Sequence, residues 1–144
     1  HHSDRDSYQE ALTLRDIIKT NATKETWVQA AEQFADYWNG SGTWTKMDQI
    51  RREKFAEALK PNFHEFDCVI NETTSLEEWR DVLPLNTHVL FSEQTVNSIR
   101  KIITIFEETM PNWTFHSYGG GTHMAPLTHP NIVNPIIYKI LTEA

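Results

Sequence analysis

The chain has 144 residues, of which 39% are hydrophobic and five are tryptophan, and its net charge is −7. That length suits one globular domain with a hydrophobic core of its own. The negative charge, without a run of Lys or Arg to neutralise phosphates, argues against nucleic-acid binding, and no stretch is long and apolar enough to span a membrane. The single cysteine, Cys68, excludes an internal disulfide and favours a reducing compartment, so we expect a cytoplasmic protein.

Only helical patterns occur in the first 84 residues. Apolar residues at 3.6-residue spacing, with residues that cap or stop helices, predict five helices: residues 7–21, 24–40, 45–61, a shorter helix with Phe63, Phe66 and Val69, and a turn or two after Ser75. Ser7 and Thr45 stand at the head of capping-box patterns, and Pro61 cannot continue a helix. This part of the chain is therefore predicted to be a helical region.

The pattern changes after Pro84 to strand, helix, strand, helix. Residues 89–91 form a continuous apolar run, as in a buried parallel strand, and residues 113–118 alternate with the period of two that is typical of a half-buried strand. A helix with an apolar face ends before Pro111, and a last helix is predicted to start with Thr128 as cap and Pro130 at its first position. Pro135 predicts a kink or a helix start close to it. We predict an α/β fold, with residues 1–84 helical and residues 85–144 a βαβα part of a parallel sheet.

Three glycines, residues 119–121, follow the second predicted strand and precede His123. Such a run predicts that at least one position needs positive φ or a close backbone approach. His123 would be held between a strand and a helix, and an imidazole held in that way can act as a general base near neutral pH. The alternative is a turn histidine exposed among glycines. His129, next to a predicted cap, and His116, on the strand, are more typical of structural positions.

Residues 119–127, followed by His129-Pro130 and an amphipathic C-terminal helix, resemble the histidine loop that closes the α/β-hydrolase fold. Residues 87–93 resemble the penultimate core strand of that fold, and residues 34–40 are similar to the helical cap of some members. The resemblance covers most of the chain. It implies a cap-like region followed by the last core strands. It does not include the Gly-x-Ser-x-Gly nucleophile elbow, which these 144 residues lack.

The resemblance implies a serine-type hydrolase in which His123 moves the proton of a serine that lies outside these residues. The bond cleaved would be an ester, an amide or an activated carbon–carbon bond of a small, partly apolar substrate. The family's acid usually follows the penultimate strand, but Thr95 near that position is not acidic, so Glu93 is the candidate acid; an ordinary solvated turn residue is the alternative. Trp38, Trp44 and Met124 are the candidate substrate-pocket residues, against the alternative that the aromatic side chains are simply core.

A second reading is a hydrolase-derived interaction module that has lost its chemistry. Two strands alone cannot bury their apolar residues, so we expect their edges to pair with the missing N-terminal hydrolase segment or with a second copy of the chain. No metal site and no cofactor are expected, and the partners are otherwise limited to the small-molecule substrate.

Overall fold

The computed structural model describes the backbone of residues 2–143 and the side chains of residues 5–142. The chain folds into two compact units, His1–Thr73 and Thr74–Ala144. Helices dominate both units, and the described residues also form one parallel pair of strands, which is compatible with the predicted mixed α/β class. None of the helices between residues 2 and 143 combines the length and the apolar character that crossing a bilayer requires.

The first unit is helical, as predicted for this part of the chain. Its helices are α1 (His2–Thr23), α2 (Trp27–Asn39), α3 (Thr43–Lys46), α4 (Gln49–Leu59) and α5 (Asn62–Ile70). Gly40 ends α2 with φ of 93°, a conformation that suits glycine. The helix predicted around Phe63 and Phe66 is α5.

Two predicted caps in this unit are wrong. Ser7 lies inside α1, where backbone N–H groups are already bonded within the helix and need no cap. Thr45 lies inside α3, and its hydroxyl donates to the carbonyl of Gly42. Asp48 is the residue that caps the next helix, because its carboxylate accepts the N–H of Arg51 at 2.8 Å. The predicted single helix over residues 45–61 is therefore two, α3 and α4.

The core of the first unit lies between α2 and the helices that pack on it, α1 and α4. Small side chains on α2 allow this close packing, and the fully buried Ile18 of α1 fills the space beside them. The buried cluster consists of Ile18, Ala30, Ala31, Ala35, Trp44, Ala56 and Leu59. Asp36 fixes the chain after α2, since its carboxylate accepts the N–H groups of Gly42 at 2.9 Å and of Trp44 at 2.8 Å. Trp44 is thereby held in the core.

The second unit contains the strand–helix–strand–helix order predicted from the sequence. Its elements are α6 (Leu76–Val82), β1 (His88–Ser92), α7 (Asn97–Thr109), β2 (Thr114–Tyr118), α8 (Ala125–Thr128) and α9 (Pro130–Glu143). Ser75 and Glu78 form a capping box at the start of α6. The two strands are parallel and in register from His88 opposite Thr114 to Ser92 opposite Tyr118. A core cluster of Tyr118, Ala125 and Val133 joins β2, α8 and α9, with Leu90 of β1 packed against it.

One cap is also wrong in the second unit. Thr128 does not cap α9 but ends the short helix α8, and its hydroxyl donates to the carbonyl of Met124 at 3.1 Å. The start of α9 at Pro130 is confirmed, because proline needs no hydrogen-bond acceptor in a first helical turn. The helix does not start at Pro135, which lies inside it.

Candidate functional site

His123 lies in the loop between β2 and α8. Within this loop Gly120 has φ of 78° and Gly121 has φ of 110°, so the predicted left-handed glycine positions are confirmed. The N–H of Ala125 donates to the carbonyl of Thr122 at 3.0 Å, which closes a tight turn around His123 and Met124. The imidazole is therefore presented by a turn that opens α8, at the carboxyl end of the sheet.

Close packing also requires glycine at two of these three positions. A Cβ at Gly121 would lie 2.9 Å from the Cβ of Ala125, and a Cβ at Gly120 would lie 3.2 Å from Cδ1 of Ile132. Gly119 is different, because a Cβ there would make only an ordinary contact, 3.4 Å from Glu93 Oε2. The histidine loop is thus tightly fitted against α8 and α9 at two of its three glycines.

Ser92 ties the end of β1 to this loop. Its side chain is buried, its hydroxyl donates to the carbonyl of Gly121 at 2.5 Å, and the same oxygen accepts the N–H of Gln94 at 3.0 Å. Although Ser92 stands between a strand and a helix, it lacks the strained backbone of a nucleophile elbow, since Glu25 is the one non-glycine residue with positive φ among residues 2–143. Ser92 therefore has a positioning role for the loop.

A cavity of about 350 Å³ lies beside β1 and is lined by His123. Residues 89–92 of β1 all contribute to its wall, together with Ile99, Ile103 and Phe106 of α7. Successive side chains of a strand point to opposite faces of a sheet. A cavity that touches four consecutive strand residues therefore follows the edge of β1, and this is the open edge because β2 occupies the other one.

The backbone hydrogen bonds identify the groups on this open edge. Thr114 donates to the carbonyl of Thr87, and Glu93 donates to the carbonyl of Tyr118. In a parallel ladder the groups of alternate residues point to the same neighbour. The N–H and C=O groups of His88 and Leu90 consequently point away from β2 and toward the open edge.

Three buried or half-buried polar groups line the cavity beside Ser92. Tyr118 is 6% exposed, and burial raises the pKa of its phenol above the ordinary 10.0. Thr95 is also 6% exposed, and its hydroxyl has no hydrogen-bond partner among the described residues. A buried hydroxyl without a partner costs about 1–3 kcal/mol, so this group is ready to bond to something that enters the cavity. His123 is the third.

Burial also affects His123, whose side chain is half-buried. Desolvation lowers the pKa of its imidazole below the usual 6.5, because the charged form loses hydration. At neutral pH the ring is then in the neutral form, which is the form that accepts a proton in general base catalysis.

This shift predicts a pH dependence of stability. The unfolded chain binds a proton on His123 more readily than the folded chain does. The contribution of His123 to the free energy of unfolding is therefore at its maximum above about pH 6.5 and is lost as the pH falls through the folded pKa. Denaturant titrations of the wild type and His123→Gln at several pH values measure the difference, and that variant should lack this part of the dependence. A side-chain NMR titration of His123 with its midpoint at or above 6.5 would contradict the prediction.

Glu93, the predicted catalytic acid, lies just past β1 at the exposed surface. Its carboxylate accepts a hydrogen bond from the hydroxyl of Ser117 at 3.2 Å, and its carbonyl accepts one from Arg100. Glu93 is not among the residues that line the cavity with His123. Its role as the acid stays a prediction.

The predicted substrate-pocket residues fall in both units. Trp38 lies in α2 and packs against Phe34 and Tyr37, and Trp44 is 4% exposed in the core of the first unit. Met124 belongs to the second unit and is half-buried beside His123. Their assignment to a substrate pocket stays a prediction.

Sequence reasoning did not select Ser92, Thr95 or Tyr118 for the site. Their shared feature is position, at the carboxyl ends of two neighbouring parallel strands or just beyond them, where α/β proteins place their binding crevices. That rule, applied to the two predicted strands, would have found all three. Comparison with protein-family models, with curated proteins and with solved structures found no match for this chain.

Proposed function

We propose that this chain is the C-terminal part of a serine-type α/β-hydrolase and that it supplies the catalytic histidine, His123. The observation that carries the proposal is the cavity along the open edge of β1, which His123 lines together with the buried, unpartnered hydroxyl of Thr95. Apolar walls with a few converging polar groups are typical of small-molecule sites. The resemblance of the histidine loop to the hydrolase family supplies the reaction class.

The open edge of β1 is where the rest of the hydrolase sheet would pair. The outward-pointing N–H and C=O groups of Leu90 would bond to an added strand, which would lie beside the apolar side chains of Ile99 and Phe106. Carboxyl ends of parallel strands meet at one edge of a sheet. A serine at the carboxyl end of a parallel strand added at this edge would therefore come close to His123.

In this reaction the imidazole of His123 takes the proton of the serine hydroxyl as its oxygen attacks the substrate carbonyl. The imidazolium then returns the proton to the leaving group, and water repeats the cycle on the acyl-enzyme. The lowered pKa of His123 keeps the ring neutral before the attack. We propose Glu93 as the acid that stabilises the imidazolium, and a Glu93→Gln variant should lower the rate without abolishing it.

Covalent labelling of serine tests the proposal. The isolated chain should not react with a fluorophosphonate probe, because no serine or cysteine among its described residues stands in a nucleophile elbow. The chain should be expressed with an affinity tag in its source cells, captured with its bound partners and treated with the probe. We expect a labelled serine on a captured polypeptide, with the label lost in His123→Ala.

His129→Ala is the matched control, since His129 is an exposed loop histidine outside the cavity. It should keep the label. A label that survives His123→Ala would overturn the proposed role of the histidine. Capture of a partner without any labelling would instead support the second reading, a hydrolase-derived interaction module, which the open strand edge also favours.

Assembly is a separate expectation of the proposal. The chain should associate at the open edge of β1, with the remaining hydrolase segment or, when purified alone, with a second copy. Light scattering across a dilution series should show a mass above that of one chain at micromolar concentration. Ile102→Lys should reduce the association, because Ile102 is 44% exposed beside this edge and a lysine there repels an incoming apolar strand.

Leu127→Lys controls for the loss of an exposed apolar residue. Leu127 is 77% exposed and does not line the cavity, so its replacement should leave the mass unchanged. A monomer with a cooperative melt in the unmodified chain would contradict the expectation of pairing.

A further inference from the structure

Two histidines meet on one face of the sheet, away from the cavity. Nδ1 of His88 in β1 lies 3.0 Å from Nε2 of His116 in β2, and the two ring planes are inclined by only 14°. His88 is opposite Thr114 and His116 is opposite Leu90, so both side chains leave the same face of the two strands. His88 is exposed and His116 is half-buried, so solvent reaches the pair.

The spacing of the two nitrogens suits a metal ion. Nitrogen ligands bind zinc at about 2.0–2.1 Å, so two of them are about 3.3 Å apart in a tetrahedral site and, at right angles in a tetragonal one, about 2.9 Å. The observed separation of 3.0 Å lies within this range. In the metal-free chain the same 3.0 Å contact is a hydrogen bond between the rings, so both rings must rotate to direct their lone pairs at one ion, while the ladder between β1 and β2 holds the two backbones in place.

We propose that His88 and His116 form a binding site for a divalent transition-metal ion. In this proposal the chain supplies two imidazoles and water molecules take the remaining positions. The described residues hold no group of three or more His, Cys, Asp or Glu placed to bind a metal. Neutral imidazole prefers Cu²⁺, Ni²⁺ and Zn²⁺ and does not favour Mg²⁺ or Ca²⁺. Cu²⁺ is expected to bind most tightly.

The binding step conserves protons when both rings are neutral. The shared hydrogen between the two nitrogens moves to the far nitrogen of its own ring by tautomer exchange, and each ring then offers one lone pair to the ion. A protonated ring releases one proton to solvent, so affinity falls in acidic solution. The bound ion would also link β1 to β2 and stabilise the folded second unit.

Isothermal titration of the purified chain with Cu²⁺, Ni²⁺, Zn²⁺ and Mg²⁺ tests the proposal. We expect one site with the order Cu²⁺ above Ni²⁺ and Zn²⁺, and no binding of Mg²⁺. Replacing His88 or His116 by glutamine should weaken Ni²⁺ binding by about tenfold or more, because a single imidazole remains. The Cu²⁺ complex should show the electron paramagnetic resonance pattern of two equatorial nitrogens, which each variant loses.

His64→Gln is the control, since His64 is an exposed histidine of the first unit whose ring makes an edge-to-face contact with Phe63. It should leave the affinity within about twofold of the wild type. Melting curves of the apo variants show whether His88→Gln and His116→Gln remain folded, and the resonance pattern of the wild type decides the question if they do not. Unchanged affinity in both variants, or a wild-type spectrum without two nitrogens, would overturn the proposal.

Discussion

Replacing Trp44 by alanine is expected to lower the free energy of unfolding of the first unit by about 3–5 kcal/mol. The indole is 4% exposed, packs against Phe55 with ring centroids 6.4 Å apart, and belongs to the core cluster around Ile18. Truncation removes buried apolar surface and leaves a cavity that the neighbouring alanines of α2 are too small to fill. Urea denaturation followed by circular dichroism measures the loss.

Trp79→Ala is the control for the Trp44 experiment. Trp79 lies in α6 of the second unit and is 37% exposed, so its removal should cost about 1 kcal/mol or less. Should Trp44→Ala unfold at the same urea concentration as the wild type, Trp44 would not be a core residue. The sequence-based assignment of Trp44 to a substrate pocket would then gain support.

Replacing Gly121 by valine is expected to destabilise the second unit by roughly 2–4 kcal/mol. The backbone at Gly121 has φ of 110°, which a β-branched residue adopts only under strain, and the new Cβ would stand 2.9 Å from the Cβ of Ala125. The same change would displace the carbonyl that accepts the hydroxyl of Ser92. Hydrogen exchange of the amides in β1 and β2 reports the loss for this unit alone.

Gly119→Val is the matched control, two residues before Gly121 in the same loop. Its φ is not in the left-handed region and its Cβ would meet only the flexible end of Glu93, so we expect a cost of about 1 kcal/mol or less. Equal protection of the β1 amides in Gly121→Val and the wild type would mean that the loop adapts freely. In that case His123 would not be pre-organised, and its proposed role as a general base would lose its structural basis.

The elements themselves were largely readable from the sequence. The apolar period of α7, the continuous run in β1 and the alternation in β2 are local signals, and these three elements formed near their predicted bounds, whereas the helix predicted over residues 45–61 is two helices. The caps were less certain because several Ser, Thr and Asp residues compete for each helix start. Asp48, and not Thr45, caps α4. The helix α1 begins before Ser7, so Ser7 lies in the interior of that helix.

The sequence by itself determined the order of helices and strands, the glycine loop with positive φ and the position of His123 after β2, since these depend on contacts between residues close in the chain. Tertiary structure decided which side chains meet. Ser92 bonds to Gly121 across 29 residues and His88 meets His116 across 28, pairings set by the register of two parallel strands. Register depends on how the whole helical crossover packs, and the cavity at the open edge of β1 depends on it in turn, so neither is encoded in any local pattern.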